Sequence, residues 1–267
     1  MAVDNSVTVA GDSLSFSLSC GTIEQRVREL FKRALNGDRV SVAFCNSYSV
    51  YVASNRSDFH HALRSFDYVF PDGAPVAALA RLHGASNQRR IAGPDFMTEF
   101  LTFQNDSYSP QAESDVTHFV FGGSVQAVHG LATWFEQRFP NVPVVGCLSP
   151  KYGDWSDEES MEYVRFINLC KPRVVWVGLG CPKQELWIAT YGKFVNSVVL
   201  GVGAAFDFNS GLVPRAPEFF RGFGLESLYR FFVEPRRLFR RTFFGNFYFV
   251  RYFLIPVFFF GGVRNGR

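Results

Sequence analysis

Asp72 stands between a proline and a glycine, in Phe70-Pro71-Asp72-Gly73, directly after a short apolar run and before an amphipathic one. A carboxylate at such a junction can take a proton from a ligand hydroxyl, given a suitable pKa and distance. An aspartate that merely caps a turn or a helix fits the same residues, and taken alone is the simpler account. Asp207, in Asp207-Phe208-Asn209, has the outline of a metal-binding D-x-D pattern but lacks its second acid. Three glycine groups recur at matching places: Gly122-Gly123, Gly178 with Gly180, and Gly201 with Gly203 each close a β-branched run. Glycines there let a backbone approach a ligand, and the helix starts that follow offer N–H groups to phosphate. Tight turns need glycine for steric reasons too, so the inference rests on several such turns falling together.

A third group is cationic. In Leu225-Glu226-Ser227-Leu228-Tyr229-Arg230 and onward to Arg241, Arg237, Arg240 and Arg241 fall at i, i+3 and i+4, with Arg230 before the break at Pro235. Guanidinium groups aimed together match phosphate oxygens bidentately. The five cysteines and five histidines show no metal-ligand spacing, so no metal site is expected and the thiols read as reduced and mostly buried.

The elements that must hold these groups alternate. Arg39–Phe44, Asp67–Phe70, Thr117–Phe121, Val142–Cys147, Arg173–Val177 and Ser197–Gly201 read as strands, with amphipathic helices between several of them. The helix opening at Ser124 puts Val125, Val128, Leu131, Ala132 and Phe135 on one face, with Ser124 as N-cap. Another runs from Lys183 to Tyr191, with Pro182 suited to the first helical position. This is a βα alternation around a mainly parallel sheet, whose ligand crevice lies along the carboxyl ends of the strands, where Asn46, Asp72 and the glycines all fall.

The net charge of +3 is unevenly spread. Residues 212–267 carry ten Arg, no Lys and three Glu, a local +7 that leaves −4 for the rest, and hold fourteen of the 31 Phe. Arginine interleaved with phenylalanine suits an anionic lipid interface first, and nucleic acid or a Phe-rich core less well. Phe243–Phe260 is interrupted by Gly245, Asn246, Arg251 and Pro256, which disfavours a simple transmembrane helix. Residues 1–20 read as a flexible lead without signal-peptide character, 21–211 as the α/β domain, and 212–267 as an Arg/Phe-rich helical appendage. Neither Gly178-x-Gly180 nor Gly201-x-Gly203 continues into a full dinucleotide fingerprint, and no Walker sequence occurs, which argues against a nicotinamide enzyme and an ATPase.

The segments FPDGAPVAALARLHG, RRIAGPDF, FVFGGS, VWVGLGCPKQELWI, GVGAAFDFNSG, RAPEFF and GLESLYRFFVEPRRLFRR together resemble the WecG/TagA/CpsF family of bacterial glycosyltransferases. The resemblance implies a Rossmann-like domain of GT-E type with a membrane-contacting C-terminal appendage. It also implies inverting transfer of a hexose-type sugar from a UDP-sugar to a polyprenyl-diphosphate-linked sugar, without metal or other cofactor. Carried across by motif, Asp72 matches the proposed base. Asn46, Arg90 and Gln184 match acceptor- or donor-pocket residues. Asp207 and the glycines match the nucleotide pocket, and Arg230, Arg237 and Arg240 match the arginines that hold the lipid diphosphate. The implied place is peripheral, on the cytoplasmic face of the membrane, in cell-surface polysaccharide synthesis; nucleic acid is not an expected partner, and a homo-oligomer stays open. Where many members have T-x-N, this chain has Phe44-Cys45-Asn46, which leaves the donor sugar open with UDP-glucose slightly favoured. A non-catalytic nucleotide-binding membrane scaffold is the alternative, since it would keep the glycine turns without needing Asp72.

Overall fold

The computed structural model describes residues 6–10, 14–107, 116–214, 245, 247–249 and 251. Most of the appendage expected over residues 212–267, including Arg230, Arg237 and Arg240, lies outside the described residues.

Residues expected to be a flexible lead instead form a hairpin, β1 (Ser6–Ala10) and β2 (Ser15–Ser19), paired antiparallel from Ser6↔Ser19 to Ala10↔Ser15. In Ser15-Phe16-Ser17-Leu18-Ser19 every second residue is apolar, and Phe16 and Leu18 turn inward and are buried. The serines lower the average hydrophobicity and hide a period-two strand.

Six strands follow: β3 (Val40–Cys45), β4 (Tyr68–Pro71), β5 (His118–Gly122), β6 (Val144–Leu148), β7 (Val174–Gly178) and β8 (Val198–Gly201). They form one parallel sheet in the order β4-β3-β8-β7-β5-β6. The helices are α1 (Ile23–Asn36), α2 (Ser47–Asn55), α3 (Ser57–Arg64), α4 (Ala74–Leu82), α5 (Gly93–Asp106), α6 (Val125–Arg138), α7 (Asp157–Leu169), α8 (Lys183–Tyr191) and α9 (Ala205–Asn209). The central strands β7 and β8 are almost wholly apolar and buried, as a sheet covered on both faces requires. On one face α1, α5, α6 and α9 pack through Leu30, Phe96, Phe100, Leu131 and Phe206. On the other lie the hairpin and α2, α3, α4, α7 and α8, with Phe59, Leu63, Val164, Trp187 and Ile188 inside.

The strand order fixes where a crevice opens. From β5 the chain leaves through α6 on the first face and moves outward to β6; from β7 it leaves through α8 on the opposite face and moves inward to β8. β5 and β7 are neighbours, so the connections diverge between them, which makes their carboxyl ends the topological switch point. Ser124 caps α6 as expected, accepting from Ala127 N at 3.1 Å. Val125 does not share the buried face predicted for it: it is 68% exposed, and Ala127 is buried in its stead. A helix's first turn projects past the sheet edge, so the apolar stripe starts two residues later. α8 spans Lys183–Tyr191, the range the sequence indicates, with Pro182 one position earlier than expected, as N-cap.

Candidate functional site

Every strand-end residue singled out above stands on the carboxyl edge of the sheet. Asp72 follows β4 directly, and its amide donates to the Cys45 carbonyl at the end of β3, 2.8 Å away. One residue further, Gly73 is the N-cap of α4, so the aspartate is fixed between a strand end and a helix start and is partly exposed. Asn46, just past the end of the neighbouring β3, is the N-cap of α2: its Oδ1 accepts from the amides of Tyr48 and Ser49 at 3.1 and 3.2 Å. The cap uses the carbonyl oxygen and leaves the Nδ2 hydrogens without an acceptor among the described residues. Arg90 arrives on the segment before α5, which is laced to the same corner by Ile91 N donating to the Pro71 carbonyl at 2.8 Å. Its guanidinium pairs with Asp95 at 3.2 Å, both side chains partly exposed. Asp72, Asn46 and Arg90 thus stand on adjoining segments at one corner: an acid, an amide and a cation. Phe44 is packed against Phe70 and Phe96 in the core, so this chain offers no hydroxyl at that point.

Gln184 is 4% exposed and ties three elements together. Its Oε1 accepts from Gly180 N at 3.2 Å, and its Nε2 donates to the Gly201 carbonyl at 2.8 Å and to Glu185 Oε1 at 2.9 Å. It therefore holds the turn after β7 against the end of β8. Sequence reasoning missed Glu185, a carboxylate only 2% exposed, although it stands next to Gln184 in the same motif. Cys45, on β3 between β4 and β8, feels both acids: burial, then the charges of Glu185 and Asp72, push its thiol pKa well above the usual range. Burial keeps the thiol protonated, and both carboxylates lie near enough to add to that shift.

The glycines have structural reasons of their own. A Cβ at Gly178 would lie 2.3 Å from the Phe206 ring, and one at Gly122 would lie 2.7 Å from the Gly178 backbone. These two are small because protein fills the space. Gly180 differs: it has φ +78, and a side chain there would meet nothing within 4 Å. Nor are the turn amides open to an anion. Gly123 N donates to the Gly178 carbonyl at 2.9 Å, Gly203 N to the Val177 carbonyl at 3.2 Å, and Gly180 N to Gln184. These three amides are committed inside the protein. Among the described residues, the amides of Val125 and Gln126, in the first turn of α6, and of Lys183, at the start of α8, are among those without an acceptor. Asp207 lies in the short α9, one residue from Phe206, and its carbonyl accepts from Val213 N at 3.0 Å.

Lys183 also escaped sequence reasoning. Its ammonium lies 3.5 Å from the centroid of the Trp155 ring and donates to the Gly153 carbonyl, both in the segment between β6 and α7. Burial lowers its pKa, against the opposing pull of Asp154. That segment is anchored by Ser149 Oγ donating to the Gly123 carbonyl at 2.8 Å and by Trp155 Nε1 donating to the Lys151 carbonyl at 2.9 Å. At the other end of the edge, the described part of the tail meets α2. A Cβ on Gly245 would lie 3.0 Å from the Tyr48 backbone, the Tyr248 and Tyr51 rings are 5.7 Å apart, and Phe249 is 1% exposed. Among the described residues no helix is long and apolar enough to cross a membrane. No group of three or more His, Cys, Asp or Glu side chains there could hold a metal ion.

Comparison with known proteins meets this geometry from the other side. The family model described as "Glycosyl transferase WecG/TagA/CpsF family" matches residues 12–259. An N-acetylglucosaminyldiphosphoundecaprenol N-acetyl-beta-D-mannosaminyltransferase of Bacillus spizizenii is 33% identical over 180 residues, 67% of this chain and 65% of the relative. The chain thus matches just under two thirds of that relative's length. Proteins of the same name from Bacillus subtilis and Staphylococcus aureus are 29% and 25% identical, over 73% and 88% of this chain and 72% and 89% of their own lengths.

Proposed function

Since the chain belongs to the WecG/TagA/CpsF family of glycosyl transferases, we propose that it moves a hexose-type sugar from a UDP-sugar to a polyprenyl-diphosphate-linked sugar, with inversion and without a metal. The observation that carries this reading is the pairing of two places on one sheet edge. The corner of Asp72, Asn46 and Arg90 stands at β4 and β3, while the switch point stands between β7 and β5. From β4 to β7 is three strand spacings, about 14 Å. A nucleoside diphosphate at the switch point would extend its sugar along the edge toward the corner.

In the reaction, the acceptor hydroxyl attacks the anomeric carbon from the side opposite the diphosphate and gives its proton to Asp72. Asn46 Nδ2 and the Arg90 guanidinium are placed to hold sugar hydroxyls beside that carboxylate. Gln184, buried and fully engaged, acts by keeping the turns after β7 and β8 in register rather than by reaching a ligand. The acceptor named for the relatives, an N-acetylglucosaminyl-diphosphoundecaprenol, is the first to test. The donor remains a UDP-hexose or UDP-N-acetylhexosamine, because Phe44 contributes no polar group that would select between them. The reading places the enzyme at the cytoplasmic membrane surface, in cell-surface polysaccharide synthesis, with the Arg- and Phe-rich tail as its lipid contact.

The deciding experiment offers the full chain a panel of UDP-sugars and a short-chain N-acetylglucosaminyl-diphospho-lipid, and reads the product by mass. Addition of one hexose or N-acetylhexosamine unit is expected. Binding of UDP without transfer from any donor would leave only a nucleotide-binding scaffold.

A further inference from the structure

We propose that Lys183 is the cation that binds the nucleotide's diphosphate, and that its bridge to Gly153 and Trp155 is the resting position it leaves when the donor binds. This rests on the donor reading above and goes beyond it by naming the group that takes the leaving charge.

The bridge lies over the switch point. Lys183 starts α8, which follows β7, while Gly153 and Trp155 belong to the segment after β6. β5 lies between β7 and β6 in the sheet, so the Lys183 side chain spans the carboxyl end of β5. The amides of Val125 and Gln126, beyond the Ser124 cap of α6, stand at the same strand end. Gly180, three residues before the lysine, leaves open space on the β7 side. A diphosphate seated there would meet α6 amides on one side and the ammonium on the other.

The chemistry requires such a cation. When the bond from the sugar's anomeric carbon to the β-phosphate oxygen breaks, its electron pair goes to that oxygen; the acceptor oxygen forms the new bond and its proton goes to Asp72. The departing diphosphate gains negative charge, which preorganised donors must meet. The turn amides of Gly123, Gly180 and Gly203 donate inside the protein, so they contribute nothing to that charge. Lys183 has the properties of a held reserve: its side chain is partly buried, it rests on an aromatic face, and among the described residues it has one carbonyl acceptor for three hydrogens. A phosphate oxygen offers it a stronger, charge-assisted partner.

The test measures binding of UDP, UMP, uridine and a short-chain lipid diphosphate to the full chain by calorimetry, for the parent, Lys183→Met and Lys183→Arg, with thermal midpoints alongside. Lys183→Met is expected to weaken UDP about tenfold or more while uridine is unchanged, since a charge-assisted contact to phosphate is lost. Lys183→Arg should recover part of the loss. The ratio of UDP to uridine affinity is the quantity that a purely structural lysine would not move. An unchanged ratio in Lys183→Met overturns the inference, as does a loss confined to the lipid diphosphate. A second readout needs no lysine variant: adding UDP should alter Trp155 emission, taken as the difference between the parent and Trp155→Phe, and no difference would equally overturn it. If the parent binds no UDP at all, the donor reading itself falls and the inference goes with it.

Discussion

His118 opens β5 and Gly122 ends it, and the two ends of that one strand lie in different kinds of surroundings. At the amino end, Trp176 Nε1 donates to His118 Nδ1 at 3.0 Å, His118 Nε2 donates to Gln104 Oε1 at 2.7 Å, and Gln104 Nε2 donates to the Val116 carbonyl at 2.7 Å. The His118 and Trp176 rings are stacked 6.0 Å apart, and burial drives the imidazole pKa down to about 3. Each of these polar side-chain groups is answered within the protein, and the imidazole is held neutral in one tautomer. At the carboxyl edge, by contrast, among the described residues Asn46 keeps amide hydrogens uncommitted, the first amides of α6 and α8 lack acceptors, and Lys183 holds a single carbonyl. The contrast teaches that a strongly shifted pKa does not by itself mark a working site. The closed chain around His118 belongs to the core, and the candidate edge is set apart by hydrogen-bonding capacity left over among the described residues.

The comparison breaks most readily at Asp72. Asp72→Asn should lower transfer about 10²–10⁴-fold, the usual loss of a general base, with the thermal midpoint nearly unchanged. Activity within about tenfold of the parent would remove Asp72 as the base. The reverse pattern is expected at the other end of the strand. Trp176→Phe leaves His118 Nδ1 buried without a donor, which should cost about 1–3 kcal/mol in denaturant melts, with transfer per folded molecule unaltered. A large catalytic loss there would dissolve the distinction.

Acid sharpens the same point. The unfolded chain protonates His118 near its ordinary value of 6.5, whereas the folded chain does so only near 3. Between these values the unfolded state binds more protons, so stability falls as pH falls, by about 1.4 kcal/mol per unit, and the contribution is flat above the upper value. Urea midpoints at pH 7 and 5 should therefore diverge more for the parent than for His118→Gln; equal shifts would mean the imidazole is not held neutral. Asn46 tests the edge more finely. Asn46→Ala removes a helix cap and should cost about 1 kcal/mol. Asn46→Asp keeps the cap but loses the amide donors, so stability should survive while transfer declines. The smallest effect is expected from chelation: excess EDTA should leave transfer unchanged, and loss with recovery on adding Mg²⁺ would point to Asp207 or another acid as a metal ligand.

Much of this architecture is legible in the residues. The βα alternation is local information, carried by β-branched runs and amphipathic spacing, and the six sheet strands fall within about two residues of where the pattern puts them. Asp72, Asn46 and the glycine turns read as strand-end residues because proline, asparagine and glycine punctuate those runs. The hairpin of β1 and β2 was not legible, because serine at alternate positions masks its apolar side until Phe59 and Leu63 supply a surface to cover. Lys183 and Glu185 belong to the same Pro182-Lys183-Gln184-Glu185 stretch as Gln184, yet local sequence does not single them out. A lysine and a glutamate at a helix start look like solvated residues until the strand order brings the segment after β6 over the lysine and buries the glutamate.

The sequence by itself therefore determined the six strands of the main sheet and which of their ends carry special chemistry, since both follow from interactions between residues a few positions apart. Only the tertiary structure decided the order β4-β3-β8-β7-β5-β6, and with it the crevice between β5 and β7, the corner three strands away, and the fate of each turn amide. These depend on contacts between segments far apart in the chain. Local spacing places an N–H at the ligand edge; whether that N–H is open to a ligand or already given to a neighbouring carbonyl depends on which strand folds beside it.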